Sequence, residues 1–188
     1  MKSPIIFLLL LFFVYACKDE QVLPPKTLTI TQPSAPLPVL DTVKHDTIPD
    51  KAAFRLKLGK DAIATDETLF IFNHKARMGF FNNEDAPYMA GFGEVSLSSF
   101  SSDGQNLAIN TLPYKRGMSV GLDFMTEKDG DYSLELNYQK NIPQSIRVQL
   151  NDAYLKDSVD IRAGKYHFKV DKADANSFGN KRFKLVLK

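Results

Sequence analysis

Cysteine is nearly absent from this chain of 188 residues: Cys17 is the only one. A single copy therefore cannot form a disulfide, and any folded region must rest on a core of apolar side chains. Histidine is scarce as well. His45, His74 and His167 lie far apart, which argues against a zinc centre built from closely spaced ligands. Gly-x-Ser-x-Gly occurs once, at Gly117-Met118-Ser119-Val120-Gly121, but within an alternating run that reads on as a strand, without the strand-to-helix turn that a nucleophile elbow needs. Gly91-Phe92-Gly93-Glu94-Val95 lacks the third glycine and the following helix that a phosphate loop needs, and Val95-Ser96-Leu97-Ser98 reads on as a strand. No stretch keeps a helical period beyond one or two turns. The longest apolar run, residues 5–16, has twelve residues, against the roughly 20 that a spanning helix requires.

That short run has its own meaning. Lys2 precedes it, and Val14-Tyr15-Ala16-Cys17 closes it, the arrangement of an export signal with a basic start, an apolar stretch and a small residue at the cut. The segment resembles the lipobox of bacterial lipoproteins. The resemblance implies cleavage between Ala16 and Cys17, diacylglycerol on the Cys17 thiol and an acyl chain on the new amino terminus. One acyl chain holds a protein only marginally, at about 0.8 kcal/mol per buried methylene, whereas two or three make a lasting anchor. Lys18-Asp19-Glu20 follows directly and resembles the sorting signal that sends lipoproteins of the Bacteroidetes to the outer face of the outer membrane. A charged, solvated start to a linker is the plainer reading of the same residues. The expected location is the outer membrane, lipid-anchored and facing the cell surface.

Residues 17–50 read as a lipid-anchored, Pro/Thr-rich tether. Pro24, Pro25, Pro33, Pro36, Pro38 and Pro49 punctuate it, and proline both fixes φ and removes a donor, so the stretch is expected to stay disordered. At about 3.1 Å per residue it could reach on the order of 100 Å, or roughly 30 Å as a coil.

From residue 51 onward the pattern changes to short alternating runs. Tyr132, Leu134, Leu136 and Tyr138 share one face, as do Met118, Val120, Leu122 and Phe124. The same period recurs at Ile146, Val148 and Leu150, at Tyr166, Phe168 and Val170, and at Phe183, Leu185 and Leu187. Period two marks half-buried strands. Further strands are expected at 54–58, 68–73, 92–98 and 106–111. Turn residues separate them, notably Lys128-Asp129-Gly130-Asp131, which reads as a turn between two strands. Nine or ten short strands over residues 51–188 predict an antiparallel β-sandwich forming one domain. A domain of that length buries about two thirds of its surface.

Several segments in this region resemble a β-sandwich module found near the C-termini of large Bacteroidetes surface proteins exported by the type IX system. They are Asp66-Glu67-Thr68-Leu69-Phe70-Ile71-Phe72-Asn73, Met89-Ala90-Gly91-Phe92-Gly93, and Asp103-Gly104-Gln105-Asn106-Leu107-Ala108-Ile109-Asn110 with Leu112-Pro113. Gly130-Asp131-Tyr132-Ser133-Leu134, Tyr154-Leu155-Lys156-Asp157, Gly164-Lys165-Tyr166-His167-Phe168 and Arg182-Phe183 complete the series. The resemblance spans roughly residues 61–188 and implies an exposed binding or structural module without a catalytic set. In the large proteins a sorting domain usually follows; here lipid on Cys17 is expected to take its place.

Candidate chemistry is sparse. Asp157 with Asp160, or Asp129 with Asp131, could be imagined as glycosidase acids, but their turn-like context favours backbone hydrogen bonding. No cofactor is expected beyond the acyl lipid; Asp129 and Asp131 are where calcium would be sought. Ser96, Ser98, Ser99, Ser101 and Ser102 read as a polar strand and loop. Charge is lopsided: residues 61–135 hold twelve acids and five bases, a net −7, and residues 136–188 hold five acids and eleven bases, a net +6. Lys165, Lys169, Lys181, Arg182, Lys184 and Lys188 could form a basic strip on the last two strands, attractive to anionic glycans or lipid headgroups. The alternative is lysine on solvent faces and sheet edges, where it opposes edge-to-edge pairing. A nucleic-acid partner is not expected. The chain reads as a non-catalytic surface lipoprotein whose sandwich contacts a protein or glycan. A structural accessory subunit of an envelope or secretion complex is the second reading, and an envelope hydrolase the third.

Overall fold

Alternation in the sequence becomes alternation in burial. In the computed structural model, which describes residues 47–90 and 93–188, β1 (Ala53–Gly59) buries Phe54, Leu56 and Leu58 and half-exposes Arg55 and Lys57. The same rule generates β2 (Thr65–Phe72), β4 (Val95–Phe100), β5 (Asn106–Leu112), β6 (Ser119–Thr126), β7 (Gly130–Lys140), β8 (Val148–Asp152), β10 (Tyr166–Val170) and β11 (Phe183–Leu187). These correspond to the nine strands expected from periodicity. Gly91 and Phe92, where one of them was expected to begin, lie outside the described residues.

Two further strands had no periodic signature. β3 is only Ala86–Pro87, an edge pairing of the kind proline tolerates. β9 (Asp157–Asp160) has one apolar residue, Val159, and pairs with β8 at the end of the sheet.

The strands follow the order β10-β7-β1-β2-β5-β4-β6-β11-β8-β9, with β3 paired to β5 off that path. The path folds over itself into a sandwich. Phe168 on β10 meets Phe183 on β11 at 4.8 Å and Phe124 on β6 at 5.3 Å between ring centroids. Since β10 pairs with β7, the β7–β10 wall lies across the core from β6 and β11. Phe54 and Phe70 stack at 4.8 Å within the same core.

The architecture is all-β and antiparallel but for one pair. β2 and β5 run parallel, from Leu69 beside Ile109 to Phe72 beside Leu112. A parallel pair needs a long connection, here residues 73–105 carrying β3 and β4. Where β2, β4 and β5 meet, Thr68 Oγ1 donates to the carbonyl oxygen of Leu107 at 3.2 Å, and Asn110 Nδ2 donates to Ser99 Oγ and Phe100 O, each at 3.2 Å. Ser98, Ser99 and Ser101 are buried, so the serine run faces inward more than a solvent-facing strand would.

One local reading of the sequence is sharpened and two are corrected. Lys128–Asp131 does turn the chain between two strands, but those strands do not pair: β6 pairs with β4 and β11 while β7 pairs with β1 and β10. It is an arch between the two walls, tied by Tyr132 Oη to Lys128 O and Thr126 Oγ1, both at 2.7 Å. Tyr138 does not join the core: the register slips between Arg55 and Leu56, leaving Asn137 as the extra residue of a bulge. Tyr138 then lies outside with the Arg55 guanidinium 5.6 Å from its ring centre. The fold also begins before residue 51. Ile48 is buried in the core, and Asp50 accepts from the His74 N–H at 2.8 Å.

Candidate functional site

β8 ends in an aspartate, and that aspartate organises everything beyond it. Asp152 Oδ1 accepts from the N–H groups of Tyr154 and Leu155 at 2.9 and 3.1 Å, the local bond that starts a tight turn. Lys156, at φ 55°, closes the turn into β9. The other side of the carboxylate faces inward, where Tyr166 Oη donates to Oδ2 at 3.2 Å. Burial and the neighbouring Asp152 charge push the Tyr166 phenol well above its usual range.

The positive partner is Arg182. Its Nη2 lies 3.0 Å from Asp152 Oδ2, and both side chains are almost wholly excluded from solvent. Nη1 donates to Lys169 O at 2.8 Å and also to Ser177 O. The guanidinium lies against three rings, its Cζ 4.6 Å from the centre of Phe168, 4.9 Å from Phe183 and 5.0 Å from Tyr154. Such a buried ion holds its charge only because carboxylate, carbonyls and ring faces replace water around it.

Tyr154 is thereby presented outward. One side of its ring rests on Arg182, the Asp174 carboxylate lies near its hydroxyl, and the residue keeps 37% of its surface exposed. The nearby Asp174 carboxylate raises the Tyr154 pKa, and that of Asp174 is lowered chiefly by the backbone N–H of Asn176. Asp174 in turn accepts from the N–H and Nδ2 of Asn176, at 2.9 and 3.0 Å. The loop carrying these residues is fastened below by Lys172 Nζ, which donates to Thr126 O at 2.8 Å and sits 3.6 Å over the Phe178 ring. Gly179 N donates to Phe124 O at 2.6 Å, with φ 87°.

Two adjoining hollows open here, the first of them against Tyr154. The first, about 370 Å³, is lined by Ala153, Tyr154, Asn176, Lys181 and Arg182. The second, about 440 Å³, shares Ala153 and Lys181 with it and adds Gly121, Asn151, Lys156, Asp157, Asn180 and Lys184 among its walls. These volumes are of small-ligand size. A third cleft, about 290 Å³ between Lys57, Asp61, Glu135 and Lys165, is electrostatically closed by the 3.2 Å Lys165–Glu135 ion pair.

The expected basic strip does not exist as one surface. Arg182 is a buried ion, 1% exposed, and is removed from the strip. Lys165 pairs with Glu135, and Lys169 lies 3.9 Å from Asp131, both on the β7–β10 wall. Lys181 and Lys184 line the second hollow on the opposite wall. Lys188 stands at the far end of β11, where its N–H and carbonyl pair with Arg147. The cause is geometric: β10 and β11 face each other across the core, so their outward lysines point apart.

Three of the four paired carboxylates serve the backbone, and the fourth, Asp131, faces Lys169. Asp129 Oδ1 accepts from Lys172 N at 2.5 Å, Asp157 Oδ1 from Ser158 N at 2.7 Å, and Asp160 Oδ1 from Arg162 N at 3.1 Å. Among the described residues no group of three or more His, Cys, Asp or Glu side chains could hold a metal ion. Ala16, Cys17, Lys18, Asp19 and Glu20 lie outside the described residues. Residue patterns alone did not single out Tyr154, Asn151, Asn176 and Asn180 as site residues; Tyr154 stood only in a segment of family resemblance. No protein family, curated protein or solved structure matches the chain.

Proposed function

We propose that this chain is a non-catalytic lipoprotein, anchored in the outer membrane through Cys17, whose β-sandwich makes contact with a glycan or a protein at the cell surface. The observation that supports contact is the Tyr154 ring, backed by a buried guanidinium yet open to solvent. A ring held in this way binds with little further loss of side-chain freedom. Its apolar face suits the C–H face of a sugar, while Asn176, Asn180 and Lys181 offer donors at the edges of the same hollows. The tether and lipid supply location, and the sandwich supplies a rigid mount for the loops.

The test is binding of the purified full chain, in detergent, to a glycan array, compared with Tyr154→Ala. Binding by the wild type that falls about tenfold or more in the variant is expected, as for loss of a buried aromatic anchor. A protein that retains its glycans after Tyr154→Ala contradicts the site. A stoichiometric protein partner that co-purifies equally with wild type and Tyr154→Ala favours the accessory-subunit reading instead.

A further inference from the structure

Resting on the glycan reading of the Tyr154 surface, we infer that the second hollow selects an acidic sugar unit, one bearing a carboxylate or a sulfate. The charge balance of its walls carries the inference. Lys156, Lys181 and Lys184 come from three separate segments, the β8–β9 turn, the loop before β11 and β11 itself, and converge on one hollow of about 440 Å³. All three are exposed, and none makes an ion pair among the described residues.

Two carboxylates also belong to these walls, Asp152 and Asp157. Asp152 is neutralised by Arg182 at 3.0 Å, which leaves Asp157 as the opposing charge. Three cations against one anion give the hollow a net positive field. On the β7–β10 wall, by contrast, Lys165 and Lys169 each face a carboxylate. Uncompensated lysines gathered in a concave site attract an anion, whereas the same lysines scattered on a convex face would not.

Gly121 keeps the floor open. It lies opposite Lys184 across the β6–β11 pair, and a Cβ there would come within 3.2 Å of the Phe100 ring. Asn151 and Asn180 add polar contacts that orient a ligand, while the lysines set its charge. Since Ala153 and Lys181 line both hollows, one sugar can lie against Tyr154 while the acidic group of the same or the next unit reaches the lysines.

The experiment titrates the full chain in detergent with three probes: oligogalacturonate for the carboxylate, a heparin-derived oligosaccharide for the sulfate, and a neutral gluco-oligosaccharide. The proteins are wild type and the Lys181→Gln/Lys184→Gln double variant, with unchanged thermal unfolding of the variant as the control for folding. One acidic probe is expected to bind the wild type at least about tenfold more tightly than the neutral one, and which of the two does so identifies the anionic group. That preference is expected to disappear in the double variant and to shrink with added salt, as the screening length falls from about 8 Å at physiological ionic strength. Equal affinity for acidic and neutral probes, or acidic binding unchanged in the double variant, overturns the charge selection and leaves the Tyr154 reading standing. Absence of binding by all three probes and by the glycan array overturns both.

Discussion

Asp152 and Arg182 show how much one pair can carry. Their bonds satisfy two backbone N–H groups, the Tyr166 hydroxyl and two carbonyls besides joining opposite charges. Removing one partner strands a buried ion, so Arg182→Met or Asp152→Asn is expected to destabilise the domain by about 3–5 kcal/mol, measured by urea unfolding. An apolar pair at both positions does not restore it fully, because the N–H groups of Tyr154 and Leu155 lose their acceptor.

Titration offers a second check at the residue scale. Burial, and a 2.6 Å bond to the Asp66 carboxylate, push the Tyr88 phenol up to about 12. A group raised in the fold favours its neutral form there. Its contribution to stability is fully present below the ordinary tyrosine value of about 10 and is lost as pH rises through about 12. Phenolate absorbance is expected to show one fewer late-titrating tyrosine in Tyr88→Phe. Acid acts in the opposite sense on Glu94, whose pKa is lowered by Lys128 and Lys60. What it contributes is present above the ordinary carboxylate range and lost as pH falls through the depressed value.

Among the elements, the loop between β10 and β11 is the most exacting. Gly179 sits at φ 87° with open space where a Cβ would be, so only backbone strain opposes a side chain. Gly179→Ala is expected to cost about 1–2 kcal/mol and to weaken glycan binding, because the same loop positions Asn176 and Lys181. Thermal unfolding and the array together read both effects. The strands themselves were legible: alternation such as Met118, Val120, Leu122 and Phe124 translates directly into one buried and one open face. Pairing was not. A period of two reveals which face is wet but not which strand lies alongside, so neither the arch form of the Lys128–Asp131 turn nor the parallel β2–β5 pair was foreseen. Tyr138 misled because a one-residue bulge at Asn137 inverts every side chain beyond it. The site was least legible. Lys169 and Lys181, 12 residues apart, separate onto opposite walls, whereas Lys156 and Lys184, 28 residues apart, meet in one hollow.

At the scale of the whole molecule, the proposal joins a rigid sandwich, a proline-rich tether and a lipid. In that proposal the sandwich gives a fixed Tyr154 surface, the proline-rich segment would serve as spacer, and lipid on Cys17 would concentrate many copies on one surface. Clustering of that kind raises weak single-site affinity into durable attachment. Display on the cell exterior is read by protease treatment of intact cells. Protease is expected to shed the domain of the wild-type protein from intact cells while periplasmic markers survive, and Cys17→Ala is expected to leave no domain on the surface to be shed. A wild-type domain protected until the outer membrane is broken would contradict it.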